Sequence, residues 1–137
     1  SLTRSLCAMA DETVLITTMD DASQRGTERL SALLREAQPE AVISLIVNRL
    51  LPAKRRQDDP EATAAALSGY LDLPLYAAIR MDDTIGSVDA RKAAAQAARS
   101  PQWLTALEQA ADRLCGSDTP LKQDRVRRKL WLSRIKG

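Results

Sequence analysis

Two polar pairs in the sequence follow apolar, β-branched stretches and could contact a ligand. Asn48-Arg49 comes directly after Ile46-Val47, and Asp82-Asp83 comes shortly after residues 75–79. If both stretches are parallel strands, both pairs lie at carboxyl ends, where the ligands of open α/β sheets bind. The Asn48 amide carries a donor and an acceptor side by side and could hydrogen-bond a purine edge. The alternative is that Asn48 ends its strand by turning onto its own backbone.

Other candidate ligands are the acidic pairs Asp20-Asp21 and Asp58-Asp59, because paired carboxylates could bind Mg²⁺. Adjacent acids before a helix are far more often N-terminal caps, and we interpret these two pairs as caps. A phosphate-binding loop needs glycines followed by Lys at a helix N-terminus. None of the five glycines is followed by lysine, so these 137 residues contain no such loop.

Composition narrows the chemistry further. With 137 residues, 45% of them hydrophobic, the chain fits one globular domain. It has no histidine, which excludes imidazole catalysis and mixed Cys/His zinc sites. Cys7 and Cys115 form no CxxC motif, and we interpret both as small apolar residues in a reducing cytosol. No apolar run is long enough to span a membrane and no signal peptide is evident, which predicts a cytoplasmic protein.

Three short windows hold most of the valines and isoleucines: residues 13–18, 42–48 and 75–79. Each is apolar nearly throughout, a pattern typical of strands covered on both faces. Helical spacing of apolar residues between them predicts helices over 22–37 and 61–71. This alternation predicts an α/β fold with a parallel sheet of about three strands, right-handed crossovers and helices on both faces.

The chain after the third strand is predicted to be helical, over 88–98 and 102–114. The second of these helices carries an apolar stripe that is expected to pack against the sheet: Trp103, Leu107, Ala110, Ala111 and Leu114. The predicted domain covers 1–116, followed by a linker and basic tail over 117–137. Residues 121–137 hold seven basic side chains and one acid, so the tail carries +6 and the rest −4. Anionic partners are therefore expected to meet the tail.

The predicted sheet lacks a neighbour for its first strand. The window between Thr13 and Thr18 has the pattern of an interior strand, yet nothing before it in this chain could pair with it. An apolar sheet edge invites association. Something is therefore expected beside this strand: another part of a longer protein, a second copy of the chain, or a local hairpin.

Several short motifs occur in a recognisable order. They are Ala10-Asp11 before TVLITT, Val47-Asn48-Arg49, Leu73-Pro74-Leu75 and Ile79-Arg80-Met81-Asp82. The arrangement, over about residues 10–116, resembles the carboxyl-terminal half of the ParA/MinD family of deviant-Walker P-loop ATPases. Within that family it is most similar to the MinD-like and TadZ/CpaE pilus-assembly branch.

The resemblance implies a partial, doubly wound P-loop NTPase fold and a set of site residues. In the family the asparagine at this strand end contacts adenine, which would assign base binding to Asn48. The segment after the next strand also lines the base pocket, which adds Arg80 and Asp82. Arg80 stands where the family has proline, so the shape of the pocket is expected to differ here.

The cofactors implied are ATP and Mg²⁺, bound by the complete protein. The family's P-loop lysines and switch aspartates would all lie upstream of Ser1, so this chain alone is expected to bind no cofactor and to hydrolyse nothing. The chain is then either a fragment of an ATPase or a natural remnant that has lost catalysis. The unpaired first strand favours a fragment, because in the family this strand lies beside the P-loop strand.

The implied function is spatial positioning of division, pilus or partition machinery in bacteria, through nucleotide-dependent dimerisation and attachment to a membrane or partner. The alternative is a non-catalytic interaction module that dimerises or recruits a partner through its sheet edge.

The basic tail has three interpretations. Trp131, Leu132 and Ile135 share one helical face near Arg127, Arg128 and Lys129, which fits docking on an anionic membrane surface, as in MinD-like proteins. A solvated basic tail is the second interpretation. DNA binding is the third and is less favoured, since aromatic residues are few and there is no second basic patch.

Overall fold

The computed structural model describes residues 2–52, 59–83, 85 and 89–116. The elements alternate between helix and strand up to the third strand, and two helices follow it. They are α1 (Leu2–Met9), β1 (Glu12–Thr17), α2 (Asp21–Ala37), β2 (Val42–Leu50), α3 (Pro60–Leu71), β3 (Leu75–Arg80), α4 (Ala90–Ala97) and α5 (Pro101–Leu114). The predicted α/β class with a three-stranded parallel sheet is confirmed. Within the described residues, no helix has the length and apolar character needed to cross a membrane.

The sheet has the order β1-β2-β3, with β2 at its centre. In the register, Ile16 of β1 lies opposite Ile46 of β2, and Val47 lies opposite Ala78 of β3. Leu45 on one face and Ser44 on the other have no exposed surface, as expected of a central strand that is covered on both faces.

Helices α2 and α3 pack on one face of the sheet, as two successive crossovers of the same hand require. The predicted caps are confirmed: the Asp20 side chain accepts from Ser23 N–H at the start of α2, and Asp59 caps α3 with Pro60 at its first position. The largest core cluster lies between these helices and the sheet and consists of Leu15, Leu34, Ile43, Leu45, Val47, Leu50, Ala64, Leu67, Leu71 and Leu73.

Helix α5 covers part of the opposite face, so helices lie on both faces as predicted. Ala106 and Ala110 of α5 are buried against Ile46, Ala77 and Ile79. The predicted apolar stripe is only partly buried. Trp103 and Leu107 join this cluster, but Ala111 and Leu114 are exposed.

Strand β1 lies at the edge of the sheet, and the neighbour expected beside it stays a prediction. In the described part of the chain it pairs only with β2, and no local hairpin provides a second neighbour. Its α2-side residues Leu15 and Thr17 are buried, whereas Ile16 on the other side is 67% exposed. Helix α5 packs mainly on β3; Val14 of β1 still reaches the cluster under α5, but Ile16 does not.

Two further features differ from the sequence predictions. Helix α1 was not predicted; its Cys7 packs against the core as an apolar residue, while Cys115 is exposed at the end of α5. Strand β2 continues past its predicted end at residue 48, because a register irregularity after Val47 lets Leu50 rejoin the ladder opposite Arg80.

Candidate binding cleft

A cleft of about 410 Å³ opens at the carboxyl ends of β2 and β3. The three residues assigned to base binding on the strength of the resemblance, Asn48, Arg80 and Asp82, all line it. This is the edge of a parallel sheet at which ligands bind in open α/β folds. The complete set of described lining residues is Asn48, Arg49, Arg80, Met81, Asp82, Asp83, Ile85 and Trp103.

The irregular end of β2 shapes one side of the cleft. Arg49 has a φ of 55°, in the left-handed region that a non-glycine residue seldom occupies. Beyond it the ladder resumes, and the Met81 N–H donates to the Leu50 carbonyl at 2.8 Å. The ends of the two strands are therefore tied together directly beside the cleft.

Asn48 combines features of both interpretations made from the sequence. Its Oδ1 accepts from the Arg49 backbone N–H at 2.8 Å, which is the turn onto its own backbone. An amide oxygen has two lone pairs and the amide nitrogen two hydrogens, so this contact uses only one of four hydrogen-bonding positions. Since Asn48 also lines the cleft, its amide retains the capacity to read a base edge there.

Arg80 forms a two-point ion pair with Glu61 from the first turn of α3. Its Nε lies 2.6 Å from Oε1 of Glu61, and its Nη2 lies 2.8 Å from Oε2. The hydrogen bond from Arg80 is the main cause that holds the pKa of Glu61 below its ordinary value, against an opposing effect of burial. The same contact raises the pKa of Arg80.

Glu61 is a residue that the sequence reasoning missed. It follows Asp59 and Pro60 and was grouped with the start of a helix. One signal could have identified it. In a βαβ unit the helix after a strand begins at the carboxyl edge of the sheet, which is the edge where β3 ends with Arg80.

Asp82 and Asp83 lie on the turn that follows β3. Asp82 is half-buried, and its carbonyl accepts from the Ile85 N–H at 3.0 Å, which closes the turn. Asp83 is exposed at the mouth of the cleft.

Trp103 contributes an aromatic wall from α5. It is half-buried, and it both packs in the cluster under α5 and lines the cleft. The sequence placed it in the apolar stripe of α5, with packing against the sheet favoured over a groove for a partner, and did not assign it to the base pocket. Met81, which is 40% exposed, adds a second large apolar side chain to the lining.

The charges around the cleft do not favour phosphate. Its described lining includes two arginines and two aspartates, and Glu61 pairs with one of the arginines. The acids therefore exceed the bases by one, whereas phosphate sites need a surplus of cations or backbone N–H groups. A neutral, planar ligand with hydrogen-bonding edges suits this lining better.

A second, smaller cavity of about 280 Å³ lies between α2 and α3. Tyr70 donates a hydrogen bond to Glu28 at 2.9 Å there, and this contact raises the pKa of Tyr70. None of the residues assigned to base binding lines this cavity; of the acidic pairs, Asp21 does.

The remaining sequence candidates concern the tail and metal ions. The proposed surface residues lie outside the described part of the chain: Arg127, Arg128, Lys129, Trp131, Leu132 and Ile135. Among the described residues, no three cysteine, aspartate or glutamate side chains come together as a metal site.

Comparison of the chain with protein-family models, with curated proteins and with solved structures finds no match.

Proposed function

We propose that this chain is the base-binding half of a ParA/MinD-like ATPase with a doubly wound P-loop NTPase fold. The observation that supports the proposal most is the convergence of Asn48, Arg80 and Asp82 on one cleft at the carboxyl edge of a parallel sheet. All three are residues that the resemblance assigns to base binding from the sequence.

The cleft has the chemistry that a purine base requires. Asn48 offers amide donors and an acceptor, and the nearby carboxylates of Asp82 and Asp83 accept hydrogen bonds. Trp103 and Met81 supply apolar surface for the ring.

The triphosphate does not suit the cleft, because its acids outnumber its bases and no glycine in the sequence is followed by lysine. The proposal therefore requires that phosphate binding and hydrolysis belong to a segment outside these 137 residues. The open edge of β1 is where such a segment would extend the sheet.

In the cell, the proposed role is to position machinery such as that of division, pilus assembly or partition. Nucleotide-dependent dimerisation would double the number of weakly binding tails on one particle. Avidity would then convert marginal attachment to a membrane or polar partner into stable residence.

The experiment that tests the base site is NMR of this chain with adenosine, which lacks phosphates. Asn48 is the only asparagine in the sequence, so asparagine-selective ¹⁵N labelling makes its side-chain amide a unique reporter. Trp103 is one of two tryptophans, and Trp131→Phe assigns its indole signal. We expect both signals to shift together with a dissociation constant of about 1 mM, or roughly 4 kcal/mol of binding free energy.

The controls are ribose, which is expected to shift neither signal, and two amide variants. Asn48→Ala is expected to weaken the adenosine response of the Trp103 indole, while Gln109→Ala, an exposed amide on α5, is expected to leave it unchanged. Failure of both reporters to respond at 10 mM adenosine, about ten times the expected dissociation constant, would contradict the proposal. A complete gene without a Gly-Lys loop upstream of Ser1 would contradict its ATPase part.

A second candidate function is a non-catalytic interaction module that works through β1. It is favoured by one observation, the exposure of Ile16 on a strand that is paired on one side only in the described chain. Strand addition at such an edge joins backbone groups directly and needs no nucleotide.

A further inference from the structure

The geometry at Arg80 carries an inference about how the cleft holds its ligand, one that rests on the proposed base-binding function. We propose that Glu61 is a positioning residue, which holds the Arg80 guanidinium as a flat wall of the cleft against which a planar ring stacks. The ligand class is a purine base or a nucleoside.

The two contacts between Arg80 and Glu61 fix a plane and not merely a distance. Nε and Nη2 each meet a different carboxylate oxygen, at 2.6 and 2.8 Å, so the guanidinium cannot rotate without losing one of them. They use two of its five N–H groups. The contacts lie in the plane of the guanidinium, and guanidinium planes stack on aromatic rings through their faces.

Glu61 is itself held by the start of α3. The Asp59 side chain accepts from the Glu61 N–H at 3.1 Å and from the Ala62 N–H at 3.2 Å, and Pro60 occupies the first helical position. A site residue supported by a capped helix is more sharply placed than one supported by a loop.

The exposure of the pair argues that folding is not its main role. The side chains of Arg80 and Glu61 are 40% and 44% exposed, and ion pairs this open to solvent contribute little to stability. What the pair determines is the orientation of a cationic plane that lines the cleft together with Trp103. One ring face could thus meet the guanidinium while apolar side chains contact the rest of the base.

The test measures adenosine binding by the full chain with the Asn48 side-chain amide as reporter. Glu61→Gln keeps the shape of the side chain but loses the charge, and we expect it to weaken adenosine binding three- to tenfold. Arg80→Lys removes the planar group and is expected to have an effect of similar size. Because both changes break one unit, the double variant should lose little more than either single variant.

A spectroscopic signal separates positioning from a merely structural role. The Arg80 Nε–H resonance, assigned by its loss in Arg80→Lys, should report the bond to Glu61 in the wild type and move in Glu61→Gln. The thermal unfolding midpoints of Glu61→Gln and Arg80→Lys should stay close to that of the wild type. The matched control is Glu28→Gln, which removes another hydrogen-bonded surface carboxylate far from the cleft and should leave adenosine binding unchanged.

The outcomes distinguish the two proposals. Wild-type affinity for adenosine in Glu61→Gln, with the Arg80 Nε–H signal displaced, would overturn the positioning role and leave the base site standing. Glu61→Asp keeps the charge but shortens the reach of the side chain. If Glu61→Gln does not fold, wild-type affinity for adenosine in Glu61→Asp, with the Arg80 Nε–H signal displaced, would overturn the positioning role instead. Absence of any adenosine response in the wild type would overturn both proposals.

Discussion

The Ser44 hydroxyl, which has no exposed surface, donates a hydrogen bond of 2.9 Å to the Glu12 carboxylate on the neighbouring strand. The same carboxylate is hydrogen-bonded to the Tyr76 hydroxyl, and this contact is the main cause that raises the pKa of Tyr76. One carboxylate on the edge strand β1 therefore joins side chains of β2 and β3. This polar link ties down the strand that has only one backbone neighbour in the described chain.

The first prediction concerns this link. Ser44→Ala removes the donor to a charged acceptor, and we expect the free energy of unfolding to fall by about 1–2 kcal/mol. Urea denaturation followed by circular dichroism measures the change. Glu12→Gln should cost a similar amount, while Glu40→Gln on the exposed turn before β2 should stay within about 0.5 kcal/mol of the wild type. Equal stability of all three variants would contradict a structural role for the Glu12 carboxylate.

The second prediction concerns acid stability at the start of α2. The pKa of Asp20 lies well below the ordinary aspartate value of 3.8, chiefly because the Thr18 hydroxyl donates to its carboxylate and the Ser23 N–H adds a second bond. A lowered folded-state pKa adds stability above the unfolded-state value, and this stability is lost as the pH falls from there towards the folded-state pKa. Unfolding midpoints measured downward from pH 5 should therefore decline through this range in the wild type and less steeply in Asp20→Asn.

Thr18→Val is the control for the cause of this shift. It keeps the side-chain volume but removes the hydroxyl, so the Asp20 pKa, followed by NMR of the carboxyl carbon, should move up towards 3.8. An unchanged Asp20 titration in Thr18→Val would show that the hydroxyl is not the main cause.

Most of the sheet could be predicted because its signals are local. Each of these signals spans only a few neighbouring residues: the unbroken apolar windows, the caps at Asp20 and Asp59, and the proline at the start of α3. The extension of β2 to Leu50 was missed, since it depends on a left-handed Arg49 and on pairing with β3, which no local pattern specifies. The apolar character of β1 predicted full burial, but the position of α5 over β3 leaves Ile16 open.

The cleft was predictable only in part, because some of its residues are brought together by tertiary packing and not by local sequence signals. Asn48 and Asp82 could be selected because each lies at or just after the predicted end of a strand, and parallel strands bring their carboxyl ends to one edge. Trp103 lines the same cleft from α5, and Glu61 of α3, on the other side of the sheet, pairs with the lining residue Arg80. Their contribution depends on how the helices pack, which the spacing of residues along the chain does not encode.

The third prediction tests association through β1. If the open edge recruits a second copy, we expect the chain to self-associate at concentrations on the order of tens of micromolar, as measured by sedimentation velocity. Ile16→Lys should reduce this self-association, because a charge on an edge strand opposes strand addition. The substitution should leave the unfolding free energy within about 0.5 kcal/mol, since Ile16 is 67% exposed. Leu33→Lys, at a 51% exposed position on α2, is the matched control. Monomers at all concentrations, or equal effects of the two lysines, would count against self-association through β1.

The fourth prediction concerns the basic tail, whose role remains an expectation from the sequence. If it docks on anionic lipid, Trp131→Ala should weaken co-sedimentation with phosphatidylserine-containing vesicles, because the indole is lost from the headgroup level. Lys129→Ala should lower binding by about 1 kcal/mol at low salt, since each basic residue near an anionic surface contributes roughly that much. Vesicles of phosphatidylcholine alone are the control. If the two substitutions have the same effect and binding depends on salt alone, the tail is better explained as a general anion-binding segment that includes DNA among its partners.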